Sequence, residues 1–275
     1  MTPHGDTGPD PATTGAEHPA EIPPGQPPEG APGVAEQEAP NERPGPALAV
    51  FAHPDDAEIA AGGTLARWAK EGREVHLLVL TNGDRGSDDP AQDREELARI
   101  RLVETQVAAD YMGLAGIRIL PNHDGELQND HAVRREVARR IREVRPTTVL
   151  TCDPTAWFFG NQYFNHADHR TAGAATLDGV FPGAGNPHFF EELVAEGLQP
   201  WSVREVWLAW TTEPNQYQDI TGFMDAKIQA LARHESQVRG GLLGFFEQWL
   251  PTEAEENGRK IGVAHAEAFR VLNLG

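Results

Sequence analysis

The amino-acid sequence predicts an α/β fold, in which a mainly parallel sheet carries helices on both faces. Short apolar runs alternate with longer segments whose apolar residues recur at helical spacing, and this alternation is typical of βαβ units. The runs are almost uniformly apolar, as expected of strands buried on both faces. Because right-handed crossovers bring the loops after parallel strands to one edge of the sheet, we predict a Rossmann-like domain with its site at that edge.

The predicted elements follow one another as strand, helix, strand through most of the chain. Strands are predicted at residues 48–52, 75–80, 117–120, 147–151 and 204–211. Helices are predicted at residues 58–71, 93–112, 132–144 and 221–238. The apolar face of the second helix is predicted from residues near helical spacing, namely Leu97, Ile100, Val103 and Val107. The aromatic segment at 157–203 is less regular.

Residues 1–46 differ from the rest of the chain in composition. The segment holds 12 of the 22 prolines, and its eight acidic residues and one arginine account for about −7 of the formal net charge of −19. It contains almost no large apolar residues, so it buries too little surface to offset the entropy lost on ordering. It also lacks the basic start and apolar core of a targeting peptide. We therefore predict a disordered tail at 1–46 and a folded domain at 47–275.

Composition argues against several classes of protein. No run approaches the roughly 18 apolar residues of a membrane span, and the acidic charge argues against binding nucleic-acid phosphates, which relies on Lys and Arg. A single cysteine, Cys152, excludes an internal disulfide framework and indicates a reducing cytoplasm. The chain carries neither a P-loop nor a dinucleotide-binding fingerprint. The expected partner is a small molecule, and the sequence is compatible with a homo-oligomer.

One imidazole and two carboxylates follow the first predicted strand. Pro54 ends that strand and leaves His53, Asp55 and Asp56 at its carboxyl end, where open α/β sheets bind ligands. His53 and Asp56 lie three residues apart on a tight turn and can reach one metal ion. Asp55 would then lie beside the ion as a general base. The alternative is a capped turn, with Asp56 as the N-cap of the following helix.

A second cluster, with the sequence Asn-His-Ala-Asp-His, lies at residues 165–169, downstream of the fourth predicted strand. Catalytic zinc takes three protein ligands from histidines and carboxylates and keeps a fourth position open for water. One histidine of this cluster would complete the set begun by His53 and Asp56. A helix cap is the alternative role for Asp168. Together, the two clusters indicate a metal-dependent hydrolase.

The two motifs resemble those of the LmbE-like (PIG-L) zinc deacetylases, which remove acetyl groups from molecules that contain N-acetylglucosamine. The likeness rests on His-Pro-Asp-Asp after the first strand and His-x-Asp-His before a later helix. It implies a metal site formed by His53, Asp56 and His169. It further implies that Asp55 is the general base and that His166 stabilises or protonates the tetrahedral intermediate.

The resemblance also implies contacts with the substrate. Arg101, in an Arg-x-x-Glu sequence, and Asp124, after the third strand, match positions that hold the sugar. The alternatives are an ion pair of Arg101 with Glu104 or an aspartate on the helix surface and a turn role for Asp124. Some members of the family carry a catalytic tyrosine two residues before the first histidine of the later motif. Here that position is Phe164, and Tyr163 is one residue earlier, so either Tyr163 or no tyrosine serves.

The predicted function is hydrolysis of the acetamide of an N-acetylglucosamine-type sugar conjugate by metal-activated water. Zn²⁺ is the expected cofactor, and other divalent ions such as Fe²⁺ are alternatives. One rival function keeps the site but changes the acyl group, as in an amidase acting on a thiol–sugar conjugate. A rival of another class is a non-catalytic sugar- or metal-binding module, which would lack the base or a ligand.

Overall fold

A computed structural model describes residues 44–275 of the chain. Its central sheet contains seven strands: β1 (Ala47–Phe51), β2 (Val75–Thr81), β3 (Gly116–Asn122), β4 (Thr148–Cys152), β7 (Glu205–Ala209), β8 (Gln216–Asp219) and β9 (Ala266–Asn273). A separate hairpin pairs β5 (Phe158–Phe159) with β6 (Tyr163–Phe164). The order across the sheet is β3-β2-β1-β4-β7-β9-β8. Since β1, β2, β3, β4 and β7 are parallel, the predicted mainly parallel sheet is confirmed.

The helices are α1 (Asp56–Lys70), α2 (Arg94–Met112), α3 (His131–Val144), α4 (Ala167–Asp178), α5 (Glu191–Ala195), α6 (Met224–Leu231) and α7 (Leu242–Ile261). A π-helical turn, Gly179–Ala184, follows α4. Two of the helices begin at aspartate caps. The Asp93 side chain accepts from Glu96 N at the start of α2, and the Asp130 side chain accepts from Val133 N at the start of α3. Each cap satisfies a backbone N–H that the helix leaves free.

Strand β1 divides the hydrophobic interior into two cores. Leu48 and Val50 pack on one side of the sheet with apolar residues of α3 and α4. Ala49 and Phe51 pack on the other side with apolar residues of α1, including Leu65. These four side chains of β1 are fully buried, as expected for a central strand whose side chains alternate between covered faces. The prediction of helices on both faces is confirmed.

The chain changes direction across the sheet at β1. The first three strands run outward from β1 to β3, and β4 then pairs with the opposite edge of β1. This is the switch point at which open α/β sheets place ligands beyond the carboxyl ends of the strands. The loop after β1 and the α4 motif therefore meet at that edge.

The other end of the sheet differs from the prediction. Strand β9 pairs antiparallel with both β7 and β8, so it lies between two strands that precede it in the chain. Neither β8, nor β9, nor the 20-residue helix α7 was predicted as a regular element. The helix predicted at 221–238 is shorter in the structure, where α6 ends at Leu231.

Residues 1–43 of the predicted tail lie outside the described residues. Gly45 and Pro46, which the prediction assigned to that tail, are hydrogen-bonded to the domain. Arg73 Nε donates to Gly45 O at 2.8 Å, and Thr147 N donates to Pro46 O at 2.9 Å. The prediction of disorder does not hold for these two residues. Within residues 44–275, no helix is long and apolar enough to cross a membrane.

Candidate metal centre and active site

The turn after β1 is closed by Asp56. Its Oδ2 accepts a hydrogen bond from His53 N at 2.9 Å, and Asp56 is the first residue of α1. Asp55 is the N-cap residue, but its carboxylate contacts Arg101 instead of the helix backbone. Asp55 has a φ of 99°, a strained conformation for a residue other than glycine. The capped-turn alternative is wrong, because neither carboxylate caps the helix through its side chain.

Asp56 lies between two histidines. Its Oδ2 is 3.5 Å from His53 Nδ1, and its Oδ1 is 3.2 Å from His169 Nε2. The three predicted metal ligands are therefore neighbours, although they come from two motifs more than 100 residues apart. Two imidazoles and one buried carboxylate are a donor set that suits a divalent transition metal and leaves a coordination position free. The residues present thus fit a metal ion.

His166 offers a second candidate set of ligands. The ligand nitrogens of His53, His166 and His169 all lie within 4.8 Å of one another, so this set exchanges Asp56 for His166. His166 is also the N-cap residue of α4, and its Nδ1 accepts from Asp168 N at 3.2 Å. The alternative considered for Asp168, a helix cap, is therefore wrong.

Asn165 orients His169. The His169 Nδ1 lies 3.0 Å from Asn165 Oδ1, and Asn165 in turn donates Nδ2 to Ala156 O at 2.9 Å. A hydrogen bond from Nδ1–H to the amide oxygen leaves Nε2 as the nitrogen that faces Asp56. Such outer contacts commonly fix the tautomer and ring plane of a metal-binding histidine.

Arg101 holds the carboxylate of Asp55. Its Nη2 lies 3.2 Å from Asp55 Oδ2, its Nη1 donates to Gly83 O at 3.0 Å, and its Nη1 is 3.9 Å from Asp124 Oδ2. The residue is only 2% exposed. Glu104, the sequence neighbour considered as its partner, accepts instead from Ser236 N and Oγ. Pairing with Glu104 on a helix surface is therefore wrong for Arg101.

Two glycines make room for the Arg101 guanidinium. A Cβ at Gly83 would lie 2.5 Å from Arg101 Nη1, and one at Gly86 would lie at the same distance. Gly83 also has a φ of +63°. The polar loop after β2 therefore packs directly on a predicted substrate-binding residue, and its glycines permit that close approach.

Asp124 faces His53 and is fixed from behind by Asp84. Asp124 Oδ1 lies 3.2 Å from His53 Nε2. Its backbone N–H donates to Asp84 Oδ1 at 3.0 Å, and the buried Asp84 also pairs with Arg94 and His123. Asp124 therefore has both roles: its backbone forms part of the turn, and its side chain points into the site.

The charges of the cluster favour a cation. Burial would lower the pKa of His53, but attraction to Asp56 and contacts with two other carboxylates raise that pKa well above its ordinary value. Burial would raise the pKa of Asp56, but His169 and His53 lower it well below its usual range. Carboxylates that raise the pKa of a buried imidazole also favour a bound cation, as a metal site requires.

Asp55 and His166 have shifts in opposite directions. Burial raises the pKa of Asp55, and Asp56 adds to that rise, while Arg101 opposes it. Burial lowers the pKa of His166, and the neighbouring His53 and His169 lower it further. His166 therefore favours the neutral imidazole. Because its Nδ1 accepts a backbone hydrogen bond, the proton of the neutral ring lies on Nε2.

The predicted catalytic and substrate-binding residues share one small cavity of about 220 Å³. Its lining comprises His53, Asp55, Gly86, Arg101, Asp124, Tyr163, His166, His169 and Gln237. Tyr163 thus reaches the site, whereas Phe164 is 72% exposed and is not part of this lining. Of the two aromatic residues weighed from the sequence, Tyr163 is the one at the cavity.

Comparison with known proteins identifies the family to which the chain belongs. Residues 48–180 match the family described as PIG-L, GlcNAc-PI de-N-acetylase. The diacetylchitobiose deacetylase of Thermococcus kodakarensis is 36% identical to the chain over 225 residues, which cover 82% of both proteins. The chain belongs to the PIG-L deacetylase family.

Two further members are similar over most of the described chain. The structure of N,N'-diacetylchitobiose deacetylase from Pyrococcus horikoshii, complexed with an inhibitor, superposes with a TM-score of 0.77 and 32% identity. The likeness covers 82% of this chain and 83% of that one. A 1D-myo-inositol 2-acetamido-2-deoxy-α-D-glucopyranoside deacetylase from Rhodococcus erythropolis is 29% identical, over 70% of this chain and 80% of that protein. The family resemblance drawn from the motifs is confirmed.

Two features of this PIG-L protein were not recognised in its sequence. Asp168 is 1% exposed and contacts His53 as well as the loop that follows Asp124. Glu58 and His234 are both fully buried and lie 3.4 Å apart. Burial would lower the pKa of His234, but Glu58 and Asp55 raise it. Asp168 lies inside a recognised motif, but its contacts could not be predicted, because its partners are distant in sequence. The same holds for the contact between Glu58 and His234.

Proposed function

We propose that this protein is a metal-dependent deacetylase that hydrolyses the acetamide of an N-acetylglucosamine-type sugar conjugate. The observation that carries the proposal is the arrangement around Asp55. This carboxylate, held by Arg101 at 3.2 Å, adjoins the His53–Asp56–His169 cluster and shares one cavity with Asp124 and His166. A base, a metal-ligand set and groups for binding a sugar are thus neighbours.

His53, Asp56 and His169 are the residues that would hold the metal, with Zn²⁺ the expected ion and Fe²⁺ an alternative. An ion bound there would supply a Lewis acid, which polarises the amide carbonyl and makes water more acidic. Asp168 and Asn165 would orient the two histidine ligands through the contacts described above.

Asp55 is the proposed general base. Its carboxylate accepts a proton from the attacking water and then delivers that proton to the leaving amine nitrogen. Burial and Asp56 raise its pKa, which brings its basicity closer to what proton transfer near neutral pH requires. Arg101 fixes one carboxylate oxygen, so the carboxylate group keeps a defined orientation towards the reacting atoms.

His166 is the proposed donor to the oxyanion. The hydrogen bond to Nδ1 places the proton of the neutral ring on Nε2, and Nε2–H can donate to the carbonyl oxygen as negative charge develops there. A neutral imidazole suffices for this role, which fits the lowered pKa of His166.

Arg101 and Asp124 are the proposed sugar-binding residues. Both line the small cavity and both are largely removed from solvent, so each presents a charged group with which a sugar hydroxyl can form a hydrogen bond. Two relatives named above act on molecules with N-acetylated amino sugars, diacetylchitobiose and an acetamido-glucopyranosyl inositol. A non-catalytic module is disfavoured, because the candidate base and all candidate ligands are retained as neighbours.

The test is hydrolysis of defined substrates by the zinc-loaded protein. N,N'-diacetylchitobiose and N-acetylglucosamine are incubated with it, and mass spectrometry measures acetate and the free amine. We expect acetate release that stops when a chelator removes the metal and returns when zinc is restored. Folded, metal-saturated protein that releases no acetate from either substrate would contradict the proposal.

A further inference from the structure

A second and larger cavity, of about 730 Å³, adjoins the cluster of candidate metal ligands formed by His53, Asp56 and His169. Asp56 and His169 line it, and His169 and Tyr163 line both cavities. Arg101 and Asp124, the proposed sugar-binding residues, line only the small one. The metal cluster therefore stands between a small polar cavity and a large one.

The large cavity has an aromatic wall. Its large apolar side chains are Ile59, Phe159, Tyr163, Trp210, Phe245, Phe246, Trp249 and Leu250. On α7, the rings of Phe245 and Trp249 stack with 6.0 Å between centroids and an interplanar angle of 11°. These two side chains are 55% and 38% exposed. Large aromatic side chains left accessible in a concave surface are typical of a site for an apolar ligand.

Trp210 connects this wall to the candidate metal ligands. Its ring lies 4.7 Å from that of His169, at an interplanar angle of 31°. The residue adopts a φ of 51°, which is uncommon for a bulky side chain. The aromatic surface therefore begins at a candidate metal ligand. A group bound in the cavity would extend directly from the reaction site.

The charged groups of the cavity do not require a charged ligand. Lys227 and Glu267 form an ion pair, and their side chains are 4% and 5% exposed. Lys227 Nζ also donates to Ile59 O at 2.8 Å, while Glu267 accepts from Gly63 N and Thr64 N. The protein thus neutralises these charges internally. Glu253, another carboxylate in the lining, disfavours an anionic ligand.

The size of the cavity exceeds what an acetyl group needs. A volume of about 730 Å³ lies within the range of pockets that enclose drug-sized ligands. With the sugar in the small cavity and the scissile amide at the metal cluster, the group on the other side of the amide faces the large cavity. That group is the acyl group.

We propose that the large cavity binds the acyl group of the scissile amide, and that the enzyme hydrolyses N-acyl amino sugars with neutral apolar acyl groups longer than acetyl. This inference rests on the proposed function, because it places the scissile amide at Asp56 and His169. In the reaction the C–N bond breaks and the water oxygen bonds to the acyl carbon. Both water protons finish on nitrogen, so the products are a carboxylate and an ammonium ion.

The test compares glucosamine amides whose acyl groups are acetyl, butanoyl, octanoyl and phenylacetyl. For the zinc-loaded enzyme, we expect kcat/KM to rise from acetyl to octanoyl, by at most about fourfold per methylene that becomes buried. The octyl glycoside of N-acetylglucosamine carries the same chain on the opposite side of the molecule. It should gain little over N-acetylglucosamine.

Trp249→Ala should lower the ratio of octanoyl to acetyl kcat/KM by roughly tenfold or more, because it removes a ring from the cavity wall. Phe181→Ala is the matched control, since Phe181 is 78% exposed and is not part of this lining. Its ratio should equal that of the wild type. The wild-type series decides the question even if Trp249→Ala does not fold.

Three results would overturn the inference. Hydrolysis of the acetyl substrate without any gain for longer acyl groups would overturn this inference alone. A gain for the octyl glycoside that disappears in Trp249→Ala would assign the cavity to the aglycone instead. Absence of hydrolysis with every substrate would overturn the proposed function together with this inference.

Discussion

Asp168 Oδ2 lies 3.2 Å from His53 Nε2 and also accepts a hydrogen bond from Gly125 N at 2.7 Å. Its Oδ1 accepts from Leu127 N at 3.3 Å. One buried carboxylate therefore connects a candidate metal ligand with the loop that presents Asp124. Because the ion pair and the backbone bonds share the same two oxygens, His53 and this loop are positioned together.

Asp168→Asn should weaken metal binding by about 10–100-fold, since an amide cannot replace the charge that orients His53 and increases its basicity. A competition titration with a chromogenic chelator measures this affinity. Asp178→Asn is the control, because Asp178 lies on the same helix but pairs with Asn129 and Arg134. Equal metal affinity in both variants would contradict the role of Asp168.

The two candidate ligand sets differ in their third member. If Asp56 is a ligand and His166 is not, Asp56→Ala should lose most of its metal, as should His53→Ala and His169→Ala. His166→Ala should keep the metal and lose turnover. Elemental analysis of the purified variants measures occupancy. Metal loss in His166→Ala with retention in Asp56→Ala would instead favour the three-histidine set.

Asp55→Asn should keep the metal and lose turnover. Asparagine is nearly isosteric with aspartate and can still accept from Arg101, but it cannot take a proton from water. Loss of general-base assistance should lower kcat by about 10²–10⁴-fold. Metal analysis and kcat measured on the same preparation separate the two effects. A variant with full metal and near-normal turnover would rule out Asp55 as the base.

Gly86→Ala should displace Arg101. The new Cβ would lie 2.5 Å from Arg101 Nη1 and 2.7 Å from Gln237 Oε1, so at least one of these groups must move. Misplacement of a substrate-positioning group can lower kcat/KM by about 10²-fold. Gly244→Ala is the control, because a Cβ there would meet no described atom within 4 Å apart from its chain neighbours and the backbone of its own helix. Steady-state kinetics on one acetamido sugar would show whether only Gly86→Ala is impaired.

The raised pKa of His234 predicts a pH dependence of stability. Burial opposes the shift, but Glu58 and Asp55 favour the protonated ring, so proton binding stabilises the folded state. The contribution is fully present below the unfolded-state value of about 6.5 and is lost as pH rises through the folded-state value. The advantage in unfolding free energy of wild type over His234→Gln should therefore decrease as pH rises from below 6.5.

Thermal unfolding of the metal-loaded proteins across this pH range measures that advantage. His188→Gln is the control, because the His188 side chain is 84% exposed. The pH dependence measured for His234→Gln is compared with that of this control. A difference between wild type and His234→Gln that does not change with pH would mean that His234 does not bind its proton more tightly in the folded state.

Local signals explain which parts of the fold could be predicted. The boundaries of α2 were predicted almost correctly, but its buried face only in part, since Leu97 is buried whereas Val103 and Val107 are 62% and 46% exposed. That helix instead buries Arg101, which donates to Gly83 O and Pro54 O in the active-site loops, and Thr105, whose hydroxyl donates to Arg101 O. Apolar spacing identifies the buried face of a helix only where that face is apolar. It cannot identify a face that buries polar residues with partners distant in sequence.

The antiparallel end of the sheet has no sequence pattern from which its strands could be predicted. Strand β8 has the sequence Gln-Tyr-Gln-Asp, and it pairs through backbone groups that do not depend on apolar side chains. Helix α7 contains Pro251, and its aromatic residues line a cavity. The His53 and His169 motifs were recognisable because their residues are local. Their mutual distances, and the partners of Asp168, depend on the completed fold.

The position of β9 has a consequence for synthesis of the chain. Strand β9 joins β7 to β8, but the ribosome makes it after both, with α7 in between. Until β9 emerges, the outer edge of β7 presents unpaired backbone N–H and C=O groups, which can pair with other chains. The antiparallel end should therefore form last. Ribosomes that stall before residue 266 would leave an aggregation-prone edge on an otherwise nearly complete sheet.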